Sequence, residues 1–126
     1  MKDQADKLRT MARDIKTKIE SEILKGTKRT RVVTVTSGKG GVGKTNFAVN
    51  LAISLSELGI RTMLLDADMG LANVDVVLGL VPRYNLYHVI RHEVQLKDII
   101  MPGPGGIQII PGGSGIFQLA NLKDYE

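Results

Sequence analysis

Near the end of the first third of the chain, eight consecutive residues have the types and spacing that hold a polyphosphate. Gly38, Lys39, Gly40, Gly41, Val42, Gly43, Lys44 and Thr45 fit G-x-x-x-x-G-K-[ST] at every fixed position. Phosphate oxygens need several N–H donors converging on one point, and glycines let backbone amides approach where any Cβ would intrude. A helix opening at Lys44 would add its N-terminal dipole and first-turn N–H groups. Lys44 brings a full positive charge to the β and γ oxygens. The Thr45 hydroxyl is an oxygen donor of the kind Mg²⁺ takes. The expected ligand is therefore ATP with Mg²⁺, held by residues 38–45 together with Asn46.

A second group of candidates lies about twenty residues on. Asp66 and Asp68 flank Ala67, so in an extended chain they share one face. At the C-terminal edge of a sheet, two carboxylates can hold a hydrated metal ion and orient an attacking water. Aspartates in that position also serve as turn formers or helix caps. Spacing alone does not choose between these roles.

The elements that must position these groups follow from periodicity. Residues 31–36 are rich in β-branched side chains and predict a buried strand. Residues 44–58 repeat apolar side chains at helical spacing through Ala48, Leu51, Ala52, Leu55 and Leu58, with Gly59 as the stop. Residues 61–66 predict a second strand. Strand, loop, helix and strand make a βαβ unit, which implies an α/β fold with a parallel sheet flanked by helices. Further along, residues 85–91 and 95–101 predict two short helical turns, and residues 106–110 a third strand. Residues 111–115 predict a loop at the edge of the sheet, without the lysine of a second phosphate site.

Ahead of the first strand, residues 2–25 predict one amphipathic helix. Leu8, Ala12, Ile15, Ile19 and Ile23 form a single stripe, Asp3 is placed to cap it and Gly26 to stop it. Such a stripe needs a cover, which is the body of this protein, a coiled-coil partner or another protein. The charge is concentrated here: residues 1–31 carry a net +5, the rest −1. A basic helix can meet nucleic acid, anionic lipid or an acidic protein, or simply be a solvated face. The chain has no cysteine, so thiolate metal sites and disulfides are excluded, and no apolar run is long enough to span a membrane. His88 and His92 share a helical face near Glu93, but no further ligands complete a zinc set.

The run from Lys39 to Thr45, with its first lysine, resembles the deviant phosphate-binding loop of the MinD and ParA ATPase superfamily. The resemblance implies an ATP-dependent dimer in which Lys39 reaches the partner subunit's nucleotide, acting as an arginine finger would. The segment from Asp66 to Asp75 resembles the first switch of the MinD branch. That implies Asp68 positions the hydrolytic water and Asp66 supports the metal shell. Met69 and Gly70 stand where the plasmid-partitioning branch usually has Pro-Gln, and the iron–sulfur branches need cysteines.

At the N-terminus, Asp3, Gln4, Ala5, Leu8 and Arg9 resemble the D-Q-A-x-x-L-R motif of the FlhG (YlxH, FleN) family of flagellar-number regulators, and residues 84–89 are similar to that family as well. The family implies an ATPase controlling flagellar number and placement, whose N-terminal helix docks on the FlhF GTPase and stimulates it. Gln4 would then sit nearest the partner's chemistry, with Leu8 and Arg9 anchoring the helix.

The implied organisation is a partner-binding helix and linker over residues 1–28, then the N-terminal portion of a MinD-like ATPase domain over residues 29–126. No second switch, base-recognition segment or membrane-binding helix follows residue 115. The expectation is thus a truncated domain, cytoplasmic, with peripheral membrane association only in a longer form and no specific nucleic-acid partner.

Overall fold

The computed structural model describes residues 4–26, 30–36, 43–67 and 74–112. The chain forms two compact units, Met1–Thr62 and Met63–Glu126.

The first unit is a pair of helices. α1 spans Gln4–Leu24 and α2 spans Lys44–Glu57. Three positions of the predicted stripe, Leu8, Ala12 and Ile15, pack on Leu51, Leu55, Leu58 and Ile60, and Ala12 is only 1% exposed. The small side chain at Ala12 lets the two helices approach closely at the centre of the contact. Burying a full Leu or Ile side chain is worth about 1.5–3 kcal/mol, so this partly covered trio contributes on the order of 3 kcal/mol. The cover does not extend to the C-terminal end of the stripe, where Ile23 is 63% exposed.

Both helices stop as glycine requires. Gly26 adopts φ +74° and its N–H donates to the Ile23 carbonyl at 2.9 Å. Gly59 adopts φ +87° and donates to Ser56, while Ile60 N–H reaches back to Leu55. This pair of bonds is a Schellman closure, and the Ile60 side chain packs on the same cluster as Leu55.

The predicted strand at residues 31–36 is corrected: no ladder includes these residues, and Val32 is 82% exposed. β-branched residues favour an extended backbone, but a strand exists only where a neighbour satisfies its N–H and C=O groups.

The second unit holds a three-stranded sheet. β1 is Met63–Leu65, β2 is Met101–Pro102 and β3 is Gln108–Ile110, in the order β1-β3-β2. β1 and β3 run parallel, with Leu64 opposite Ile109, whereas β2 and β3 run antiparallel, with Met101 opposite Ile109. The parallel sheet expected from the sequence is found in the β1–β3 pair, and β2 joins it antiparallel, so the small sheet is mixed. The physical reason is the link between β2 and β3, a single 3₁₀ turn at Pro104–Gly106. A link that short reverses the chain, whereas parallel neighbours need a crossover of about a dozen residues.

Gly103 opens that turn and donates to the Ile107 carbonyl at 2.8 Å. A Cβ there would stand 2.5 Å from Ile109 Cδ1. The core is built from Ile99, Ile107, Ile109, Ile110 and Val74, all buried. Three short helices accompany the sheet: α3 at Val74–Leu78, α4 at Leu86–Ile90 and α5 at Leu96–Ile99. α4 is tied to the exit of β3 through Leu86 N–H to the Pro111 carbonyl, 3.0 Å.

Candidate functional site

The phosphate-loop motif enters the described structure at Gly43. This residue is the N-cap of α2 in the left-handed conformation, φ +83°. Nothing crowds a Cβ built there; glycine is required by the backbone angle rather than by space. The Gly43 carbonyl accepts the first helical bond, from Phe47 N–H at 2.9 Å. The helix therefore opens at Lys44, as the motif predicts, with Lys44 and Thr45 half-buried and Asn46 exposed. Gly43, having no side chain, contributes no capping hydrogen bond of its own. A glycine at this position is what a phosphate-binding loop needs to turn into its helix.

Asp66 follows β1 and is buried, 7% exposed. Its own N–H extends the parallel ladder to the Ile110 carbonyl at 3.3 Å, and its Oδ2 accepts from Val74 N–H at 2.9 Å. Val74 is the first residue of α3. The carboxylate thus reaches the first residue of α3, eight positions on. This is the helix-capping use of a strand-end aspartate.

Lys39, Asp68 and Asp3 lie outside the described residues, as do Gly38, Gly40, Gly41 and Val42. The described candidates fall into two places. Gly43, Lys44, Thr45 and Asn46 belong to the helix pair, Asp66 to the sheet unit.

The structure brings together two sets that the sequence treats separately. Gln4, Ala5, Leu8 and Arg9, the N-terminal motif, line the same groove as Gly43 and Asn46 at the start of α2, a cavity of about 850 Å³. Lys7, Phe47 and Asn50 line it too and were missed by motif reading. Their signal in the sequence was only positional: 43, 46, 47, 50, 53, 54 and 57 make one face of a helix. Arg9 is held by Asp6, N to O 3.2 Å.

His88 has a structural task. Its Nδ1 accepts from Asn85 N–H at 3.2 Å while Asn85 Oδ1 accepts from Tyr87 N–H at 2.9 Å, closing a capping box on α4. Among the described residues, no three His, Asp or Glu side chains gather as a metal cluster.

Comparison with known proteins adds to this geometry. Residues 28–103 match the ParA family profile, described as the NUBPL iron-transfer P-loop NTPase. The antiactivator FleN of Pseudomonas aeruginosa is 55% identical over 96 residues, covering 76% of this chain and 34% of that protein. The flagellum site-determining protein YlxH of Helicobacter pylori is 45% identical over 86 residues, covering 68% and 29%. The chain thus spans about a third of the length of the curated relatives it matches.

Among solved structures, the cell division ATPase MinD of Pyrococcus furiosus superposes with a TM-score of 0.64 at 32% identity, over 73% of this chain and 40% of that one. Cobyrinic acid a,c-diamide synthase from Mycobacterium smegmatis, with bound ATP analogue and magnesium, gives 0.62 at 26% identity, over 74% and 38%. A glycine-capped helix opening on Lys44-Thr45, the strand leading to Asp66 and the profile match over most of the length agree: the chain belongs to the ParA/MinD family of P-loop NTPases.

Proposed function

We propose that the chain works in an ATP-binding and ATP-hydrolysing dimerisation switch controlling flagellar number and placement, and that α1 docks on and stimulates an FlhF-type GTPase. The observation that carries this reading is the 55% identity to FleN over 96 residues, supported by the identity to YlxH. Residues 38–46 cradle the nucleotide. Thr45 and Asp66 supply the oxygen donors that suit Mg²⁺, which would neutralise phosphate charge when bound.

Asp68 orients a water whose oxygen attacks the γ-phosphorus. The bond to the bridging oxygen breaks, leaving ADP and inorganic phosphate, and the water's proton passes to solvent. Lys39 of each subunit neutralises charge on the other's transferring group, which links hydrolysis to loss of the dimer. Asp3, Gln4, Ala5, Leu8 and Arg9 are the partner-binding set, on a functional division at residue 28. Among the described residues no helix is long and apolar enough to cross a membrane; the reading is a cytoplasmic protein, with peripheral membrane association in a longer form.

Calorimetric titration of Mg-ATP and Mg-GTP, with Lys44→Ala as control, tests the nucleotide half. Saturable ATP binding that the substitution abolishes is expected; none, from a folded sample, removes the ATPase claim for this chain. A second reading, a cell-division regulator, is favoured by the similarity to MinD of Pyrococcus furiosus. It predicts no stimulation of an FlhF-type GTPase by residues 1–25. A non-catalytic role, in which the chain only presents α1, predicts stimulation that survives Lys44→Ala.

A further inference from the structure

The apolar stripe of α1 has one cover in this structure and a second claimant in the reading above. Leu8, Ala12 and Ile15 recur at steps of four and three, so they share one line along the helix. They pack in one cluster with Leu51, Leu55, Leu58 and Ile60, and Ala12 is 1% exposed. Of the partner-binding residues described, Gln4, Ala5 and Arg9 are exposed, whereas Leu8 is half-buried in this contact. A partner that takes Leu8 into an apolar pocket of its own needs the same line of α1 that α2 now covers. The cover ends before the C-terminal turns, where Ile23 and Leu24 are exposed, so it falls on the part of the helix that the partner would read.

We propose that α1 docked on α2 is a self-inhibited form: Leu51, Leu55 and Leu58 compete with the GTPase partner for Leu8 and its line, and the partner binds fully only when α1 leaves that face. The inference rests on the partner-binding reading of α1 and adds its regulation. It does not depend on nucleotide. Leu51, Leu55 and Leu58 are positioning residues, acting through α1. The apparent affinity for the GTPase is then the intrinsic affinity reduced by the fraction of chains in which α1 is undocked. Linkage requires the converse as well: the bound partner must expose the face of α2 that α1 covers.

Substitutions on α2 leave every residue of α1 in place and weaken only its cover. In Leu55→Ala, and separately in Leu58→Ala, hydrogen exchange of the α1 amides reads the docking, and calorimetric titration with a purified FlhF-type GTPase reads the binding. Couplings of this kind are typically about 5–150-fold, so Leu55→Ala should exchange faster across α1 and bind the GTPase at least ~5-fold more tightly. Leu58→Ala, which shortens a half-buried side chain at the end of α2, should shift both in the same direction by less, and carries the comparison if Leu55→Ala does not fold. The chain has no cysteine, so Leu58→Cys supplies a single thiol on α2 whose maleimide labelling should accelerate when the GTPase is added. Faster α1 exchange with unchanged or weaker GTPase binding would overturn the self-inhibition and leave the partner reading standing. Unchanged α1 exchange in both variants, or labelling that stays constant or slows with the GTPase, would overturn it as well. No binding by any of these chains would remove the partner reading and the inference with it.

Discussion

The two units bury similar kinds of side chain by different means. In the helix pair, the backbone groups between the first and last turns are satisfied within their own helix, and the cluster of Ala12, Leu51 and Leu55 only has to join two finished elements. In the sheet unit, strands of two and three residues have no internal bonds at all. They exist because β3 is paired on both sides while Ile107 and Ile109, at 1% and 0% exposure, fill the space beneath. Losing packing in the first unit should separate a pair of helices that each persist for a time. The same loss in the second should remove the strands themselves.

The largest effect is therefore expected at the sheet. Ile109→Ala removes its most buried side chain and should cost about 3–5 kcal/mol, read as lost exchange protection at the Asp66 and Gly103 amides along with the urea midpoint. Leu55→Ala, at 7% exposure and with helices able to shift into the gap, should cost about 2–3 kcal/mol. Its signature is faster exchange in α1 while α2 keeps its bonds. If it melts α2 as well, the helix pair is as cooperative as the sheet and the contrast fails.

Gly103→Ala sharpens the comparison from the other side. Its Cβ meets the side chain of Ile109 and not backbone, so overpacking of about 1–3 kcal/mol is expected, relieved when combined with Ile109→Val. Smallest of all is Val32→Ser. An exposed valine outside any ladder should tolerate it within about 0.5 kcal/mol. A loss above roughly twice that by urea titration would show that residues 31–36 do pair.

The described part of the phosphate-loop motif was legible because its backbone geometry is local. Gly43 must take a positive φ for the chain to turn from loop into helix, Lys44 and Thr45 must follow at once, and Gly59 must close the helix 16 residues later. Each of these depends on neighbours within a few positions. The same holds for the stripe of α1 and for Gly26. Asp66 was legible as a strand-end carboxylate, but its bond to Val74, eight residues on, was not, because the fold of the intervening segment sets that distance.

The sequence by itself determined where the two long helices start and stop, and which later segments form short strands and helical turns. These follow from short-range sterics, hydrogen bonding and apolar periodicity. Tertiary structure alone decided that β2 runs against β3, because a turn's direction in space is not written in hydrophobic pattern. It also decided that residues 31–36 stay outside the ladder, and that the stripe of α1 lays its apolar face on α2. Pairing and cover depend on distant residues, and a chain's local preferences do not name them.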